Sequence, residues 1–182
     1  LRDIFSEFGL IKRRVQVELA WLKALSECAD IIEVPVFSSA SAERIDHILA
    51  DFDETQAEAV KTIEVTTNHD VKAVEYFLKN VFDDLNIGAY KEFIHFGLTS
   101  QDVNNTAIPL SIKEAYEKVY VKELSNVLNA LDMLISQCDG VSMLARTHGQ
   151  PASPSRLDKE LSVFKTRIEE QIVLLKQVPM AA

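Results

Sequence analysis

The sequence is poor in the residues that interrupt regular secondary structure, with only five glycines and five prolines among 182 residues. A β-sandwich or barrel needs a turn about every 8–12 residues, and such turns favour glycine and proline. Their scarcity excludes an all-β fold and predicts an all-α protein. Hydrophobic residues make up 47% and charged residues 26% of the chain, a composition that excludes a disordered or collagen-like protein.

Other classes are excluded by further absences. The two cysteines, Cys28 and Cys138, lie too far apart in sequence to indicate a CxxC metal site or a disulfide framework, and we expect two buried thiols. No apolar run approaches the ~20 residues of a membrane span, and no signal-peptide profile is present. Lysine and arginine number 19 against 28 acidic residues, with no basic run. We expect a soluble, cytoplasmic protein that binds neither nucleic acid nor membrane.

Apolar residues recur at helical spacing in five stretches. The predicted helices cover residues 10–30, 41–63 (with a break near 51–55), 68–86, 111–138 and 155–178. In the first of them, Arg14 and Glu18 fall on faces other than the apolar one. The last two are longer than the ordinary helix of about 11–12 residues and indicate an extended bundle. We therefore predict a helical N-terminal domain at 1–95 and the first part of a long-helix bundle at 96–182.

The first of three polar clusters occupies residues 66–72, where the third predicted helix begins. As a purely structural feature, Thr67 or Asn68 would cap the helix, with Asp70 in its first turn. As a functional feature, the helix N-terminus would favour an anion, and Asp70 would orient His69 and fix its tautomer. The residues alone leave both interpretations open.

The second cluster occupies residues 95–105. Thr99, with Asp102 three residues later, has the form of a capping box. The hydroxyl groups of Thr99 and Ser100, with free backbone amides behind them, would equally suit a substrate carboxylate or phosphate. Again both interpretations stay open.

The third cluster, residues 145–154, contains two prolines and no acidic residue, and we predict a rigid loop before the last helix. His148 lies between Thr147 and Gly149. A histidine held in such a loop is a candidate acid or base, because imidazole exchanges protons near neutral pH. A lone surface histidine without a function is the alternative.

Taken together, the clusters are specific. The segments NHDVKAVE at 68–75, HFGLTSQD at 95–102 and RTHGQPA at 146–152, preceded by IFSEFGL at 4–10, occur in an order and spacing that closely resemble the adenylosuccinate lyase family. That family belongs to the aspartase/fumarase superfamily, and the resemblance extends over essentially the whole chain. It is greatest to the bacterial branch.

The resemblance implies an all-α fold and a homotetramer whose subunits share their central helices and active sites. It also implies a small-molecule substrate. The family eliminates fumarate from adenylosuccinate to give AMP, and from succinyl-aminoimidazole-carboxamide ribotide, by general acid–base β-elimination in purine biosynthesis. It needs no cofactor, and we expect no metal.

Site residues follow from the resemblance position by position. His148 matches the general acid, and Thr147 lies beside it. Thr99 and Ser100 match residues that hold a succinyl carboxylate. The nucleotide-binding positions are matched by Asn68, His69 and Asp70.

The family's catalytic base is a serine in a flexible loop, and no matching segment occurs in these 182 residues. We therefore expect the sequence to be a piece of a longer enzyme and to be inactive by itself. Two alternatives remain at this point: another fumarate-releasing lyase of the superfamily, or a non-catalytic helical assembly module in which the clusters serve only as caps.

Overall fold

The computed structural model describes residues 1–180. Ala181 and Ala182, the end of the predicted second domain, lie outside the described residues. The chain forms two compact units, Leu1–Glu114 and Ala115–Met180. The predicted domain division after residue 95 stays a prediction about the family's domains.

The first unit is helical. Its elements are α1 (Arg2–Phe5), α2 (Glu7–Glu27), α3 (Ser39–Ala50), α4 (Glu54–Thr67), α5 (Asp70–Asp84), a 3-10 helix (Gly88–Phe93) and α6 (Ser100–Ala115), whose last residue is grouped with the second unit. The predicted break near 51–55 is confirmed. Asp53 caps α4 there in a reciprocal capping box with Gln56, which satisfies amide groups at the new helix N-terminus.

Two apolar clusters hold this unit together. The larger one joins α2, α3, α4 and α5; its fully buried members include Val15, Leu22, Ile45, Leu78 and Phe82. The smaller one is made of four small side chains, from α2 (Val17), α5 (Val71) and α6 (Val103 and Ala107). It packs the start of α5 against the first turns of α6, which are the segments that contain two of the polar clusters.

The second unit contains a π-helical segment (Tyr116–Tyr120), α7 (Val121–Gln137), strands β1 (Ser142–Thr147) and β2 (Gln150–Arg156), and α8 (Leu157–Leu175). The predicted loop at 145–154 is therefore wrong, because these residues form an antiparallel hairpin. His148 and Gly149 make its two-residue turn with φ of 50° and 77°. Positive φ at both positions is typical of the type I′ turn, whose twist matches that of the strands.

No residue of α7 or α8 is buried within the described chain, although both helices have apolar side chains at helical spacing. Val127, Leu134, Phe164 and Leu174 are among the exposed ones. Partner helices would cover this surface in the expected tetramer, which stays a prediction. The predicted start of the long helix at 111 is wrong: helical structure begins at Ser100, and Pro109 lies inside α6.

Two expectations based on absences can be compared with the structure. No helix within residues 1–180 is long and apolar enough to cross a membrane. Cys28 is exposed and Cys138 half-buried, so the expectation of two buried thiols is wrong. Each residue is the C-cap of its helix, at the point where the chain leaves regular helical structure.

The contact between α1 and α2 generates a stability prediction. A Cβ at Gly9 would clash with the carbonyl oxygen of Ile4, a backbone atom that cannot rotate away as a side chain could. Helix propensity alone makes alanine about 1 kcal/mol better than glycine. We expect Gly9→Ala to lower the free energy of unfolding instead, because overpacking costs about 1–3 kcal/mol.

Thermal and denaturant unfolding of the intact protein measures this effect. Ala20→Gly, at an exposed position of the same helix, is the control and should show the ordinary propensity cost of about 1 kcal/mol. A more stable Gly9→Ala variant would contradict the close approach of α1.

Candidate active site

The first cluster lies where α4 ends and α5 begins. Asn68 adopts the left-handed conformation (φ 50°, ψ 34°) and is the C-cap of α4, a position that asparagine tolerates well. His69 follows in extended conformation and caps α5, since its Nδ1 accepts a hydrogen bond from the Lys72 amide at 3.2 Å. The expectation that Thr67 or Asn68 caps this helix is therefore wrong.

The cap also determines the tautomer of His69. Because Nδ1 accepts a hydrogen bond, the proton of the neutral ring lies on Nε2. Nε2 is 3.3 Å from the hydroxyl oxygen of Ser100 and donates to it. The Ser100 hydroxyl can then donate its own proton to an anion. Asp70 does not orient the ring as expected, because its nearest carboxylate oxygen is 3.6 Å from Nδ1, too far for a hydrogen bond.

Asp70 is held by other groups. Nη2 of Arg14 donates to its Oδ2 at 2.6 Å, and the amide of Val71 donates to its Oδ1 at 2.9 Å. Partial burial acts to raise the pKa of Asp70, but the Val71 amide and the Arg14 charge outweigh it, so the pKa lies below its ordinary value. Asp70 is consequently an anion fixed at the start of α5.

The second cluster shows half of the predicted capping box. The Thr99 amide donates to Oδ2 of Asp102 at 2.7 Å, as the box requires. The Thr99 hydroxyl, which would accept from the Asp102 amide in a full box, donates to the same carboxylate oxygen at 3.0 Å. These two bonds lower the pKa of Asp102. Ser100 is the first residue of α6 and is bonded to His69 instead.

The His69–Ser100 contact therefore joins two helix N-termini. The N-terminus of a helix has unpaired amide groups and partial positive charge, so two together favour a carboxylate or phosphate. A cleft of about 500 Å³ opens where α4 ends and α5 begins, lined by Lys61, Glu64, Val65, Asn68, His69 and Asp70. Among residues 1–180, no group of three or more His, Cys, Asp or Glu side chains is placed to hold a metal ion.

The turn that precedes Thr99 is held by α2. His95 has a positive φ of 63°, which is uncommon for a residue other than glycine. Its Nδ1 is 2.6 Å from Oε1 of the fully buried Glu18, and Trp21 donates from Nε1 to the carbonyl of Phe96 at 2.8 Å. Burial raises the pKa of Glu18, although the hydrogen bond with His95 opposes this.

Thr147 and His148 lie in the second unit, at the tip of the hairpin. Both are exposed, and the positive φ of His148 follows from its place in the type I′ turn. Nη1 of Arg146 lies 3.5 Å from the Gly149 carbonyl across the same turn. The hairpin thus presents the predicted acid on a short, geometrically defined element. Asn68, His69, Asp70, Thr99 and Ser100 all lie in the first unit, and the two helix N-termini bring them together.

Sequence reasoning missed the residues that hold this arrangement. Arg14 and Glu18 are buried, with Arg14 only 7% exposed, whereas the sequence pattern places them away from the apolar face. A charged residue one turn from another on an amphipathic helix is typical of a solvated face, so no local signal marks them. Lys61, which lines the cleft, is equally ordinary in sequence.

Comparison with known proteins bears on what this site belongs to. The profile of a family described simply as Lyase matches residues 1–180. The chain belongs to this family. It is 47% identical to adenylosuccinate lyase of Vibrio cholerae over its whole length, covering 40% of that protein. It is 47% identical to the adenylosuccinate lyase of Dictyostelium discoideum, with 97% of this chain and 39% of that protein covered.

The adenylosuccinate lyase of Escherichia coli K12 is 46% identical over 98% of this chain and 39% of its own. The chain thus spans about 40% of the length of these relatives.

Solved structures confirm the all-α, aspartase/fumarase-like fold. A fumarate lyase from Mesorhizobium superposes with a TM-score of 0.76 at 21% identity, covering 97% of this chain and 38% of that one. A β-carboxy-cis,cis-muconate cycloisomerase from Acinetobacter gives 0.60 at 23% identity, covering 92% and 37%. At these identities the likeness concerns the fold alone.

The double role of His69 generates a prediction about stability and activity together. Asparagine is a good N-cap and can accept from the Lys72 amide, but its side chain is too short to reach Ser100. We expect His69→Asn to keep the thermal stability of the wild type and to lose the lyase activity of the full-length protein. His69→Ala should lose activity and also about 1 kcal/mol of stability with the cap.

Thermal unfolding and steady-state kinetics on both variants separate the two roles. Equal activity in His69→Asn and the wild type would show that His69 serves only as a cap.

Proposed function

We propose that this chain is the N-terminal part of an adenylosuccinate lyase. The intact enzyme would release fumarate from adenylosuccinate to give AMP, and from succinyl-aminoimidazole-carboxamide ribotide, in purine biosynthesis. The observation that carries the proposal is the 3.3 Å contact of His69 Nε2 with Ser100 Oγ, which brings two of the three motifs into one anion-favouring site. The names of the relatives point to the same reaction.

The chemistry explains why two helix N-termini suit this substrate. A base removes a proton from the succinyl carbon beside a carboxylate, and negative charge spreads into that carboxylate as the C–N bond weakens. Hydrogen-bond donors fixed beforehand stabilise this charge without reorganisation. Thr99 and Ser100 have this role in the proposal, with the Ser100 proton aimed by His69. Asn68, His69 and Asp70 bind the nucleotide part.

His148 is the proposed general acid, which protonates the departing nitrogen. Its place in a two-residue turn gives it little packing to contribute and leaves the ring exposed. Thr147, the last residue of β1, lies directly before it and is proposed as a substrate contact. The base is supplied by a part of the enzyme outside these 182 residues.

We further propose that the enzyme is a homotetramer in the cytoplasm, with each active site shared between subunits. The exposed apolar side chains of α7 and α8 support the assembly, because large apolar surface on long helices is typical of subunit interfaces.

The direct test is to measure fumarate release from adenylosuccinate by the full-length protein, with absorbance as the readout. We expect His148→Ala to lower kcat by a factor of about 10²–10⁴, the usual contribution of one general acid or base, with the unfolding midpoint unchanged.

Each contrary result has a distinct meaning. A folded wild-type protein that releases no fumarate from adenylosuccinate contradicts the substrate, and other succinyl compounds would then be tried. A His148→Ala variant that loses thermal stability without a specific kinetic defect would favour the non-catalytic assembly module.

Ser100→Ala tests the carboxylate site. We expect a loss of about 2–4 kcal/mol of transition-state stabilisation, the range for one oxyanion donor, measured as kcat/KM. Thr106→Ala is the matched control: it removes another hydroxyl of α6, one that only bonds the Asp102 carbonyl of its own helix, and it should leave kcat/KM unchanged. Equal kcat/KM for the two variants would show that Ser100 has only a structural role at the start of α6.

A further inference from the structure

Arg14 makes two side-chain hydrogen bonds that have no part in the proposed chemistry. Arg14 is 7% exposed, and its guanidinium group bonds to residues of two helices. Nη2 donates to Oδ2 of Asp70, the first residue of α5, at 2.6 Å, and Nε donates to Oδ1 of Asn104, one turn into α6, at 2.9 Å. One side chain of α2 therefore connects the first turns of both helices.

This connection joins the same two helix N-termini as the His69–Ser100 contact. His69 is the neighbour of Asp70, and Ser100 lies four residues before Asn104 on the same face of α6. The apolar cluster of Val17, Val71, Val103 and Ala107 lies in the same corner of the three helices. Apolar contacts among small side chains resist separation of the helices but specify their axial position poorly. The directional bonds of Arg14 supply that specification.

Arginine is well suited to make both bonds at once. Its planar guanidinium group donates from Nε and Nη2 in a fixed geometry, whereas the lysine ammonium is a single point of charge on a flexible stem. Burial makes such partners necessary, because a buried cation is tolerated only when it is paired and hydrogen-bonded. Both conditions are met by Asp70 and Asn104.

We propose that Arg14 is a positioning residue: it fixes the N-terminus of α5 relative to α6, and thereby the distance at which His69 aims the proton of Ser100. Arg14 itself touches no substrate. Its consequence for catalysis rests on the proposed function, while its effect on the two helix N-termini does not.

The test uses the full-length enzyme and four variants. Arg14→Lys keeps the positive charge but loses the paired Nε and Nη2 donors, and Asn104→Ala removes only the acceptor on α6. Asn104→Asp keeps an oxygen acceptor of the same shape and is the conservative rescue. Val60→Ala truncates a buried side chain of α4 in the larger apolar cluster and controls for general destabilisation.

We expect kcat/KM for adenylosuccinate to fall about 10- to 100-fold in Arg14→Lys and in Asn104→Ala. Losses of this size are usual when catalytic groups are displaced by a fraction of an ångström to 1 Å. Asn104→Asp should stay within about 3-fold of the wild type, and Val60→Ala should keep its activity while losing stability. Hydrogen exchange followed by mass spectrometry should be faster at residues 68–74 and 100–106 in the first two variants only.

The two readouts separate the possible failures. Faster exchange with unchanged kcat/KM would overturn the role of Arg14 in catalysis. Lost activity with unchanged exchange, or an Asn104→Asp variant as impaired as Asn104→Ala, would overturn the positioning mechanism. A wild type that releases no fumarate refutes the proposed substrate, and the exchange data alone then decide whether Arg14 holds the two helix N-termini.

Discussion

The candidate site depends on three side chains of α2 with polar groups, two of which, Arg14 and Glu18, are buried in an otherwise apolar helix packing. Arg14, Glu18 and Trp21 lie four and three residues apart on α2, so they project from neighbouring turns of one face. Arg14 binds Asp70 and Asn104, Glu18 contacts His95, and Trp21 binds the Phe96 carbonyl. Helix α2 thus contacts every segment of the first unit that contributes a candidate site residue. The position of α2 therefore helps to determine the positions of the start of α5, the start of α6 and the turn between the 3-10 helix and α6.

Burying Arg14 and Glu18 has a cost, and the structure shows how it is offset. Arg14 is satisfied by a carboxylate and an amide oxygen, and Asp70 receives a backbone amide as well. Glu18 is less completely satisfied: its Oε2 has no hydrogen-bond partner within residues 1–180, and burial raises its pKa. Incompletely satisfied polar groups are a known feature of functional sites, where geometry is kept at the expense of stability. The positive φ of His95 beside this carboxylate fits the same pattern.

Structural and functional roles coincide in the first two motifs, which is why sequence reasoning could not separate them. His69 is at once the cap of α5 and the partner of Ser100, and Thr99 is bonded to Asp102 while its neighbour begins α6. A helix cap and an anion site need the same thing, unpaired amide groups at a helix N-terminus. The observation that distinguishes a site from a cap is the meeting of two such N-termini, and this is a tertiary contact.

The amino-acid sequence alone was enough to predict the helical class, the break between α3 and α4, and the three segments that match the family, because helical periodicity and short motifs are local properties. It also located Asn68, His69, Asp70, Thr99, Ser100, Thr147 and His148 as candidates. The structure was needed to show that Arg14 rather than His69 holds Asp70 and that Ser100 meets His69. It also corrected two local predictions, because His69 rather than Asn68 caps α5 and residues 142–156 form a hairpin. The contacts of Arg14 and Ser100 depend on which partner a side chain meets across 31 to 90 residues of sequence. No periodicity encodes such a meeting; the packing of α2 against α5 and α6 creates it.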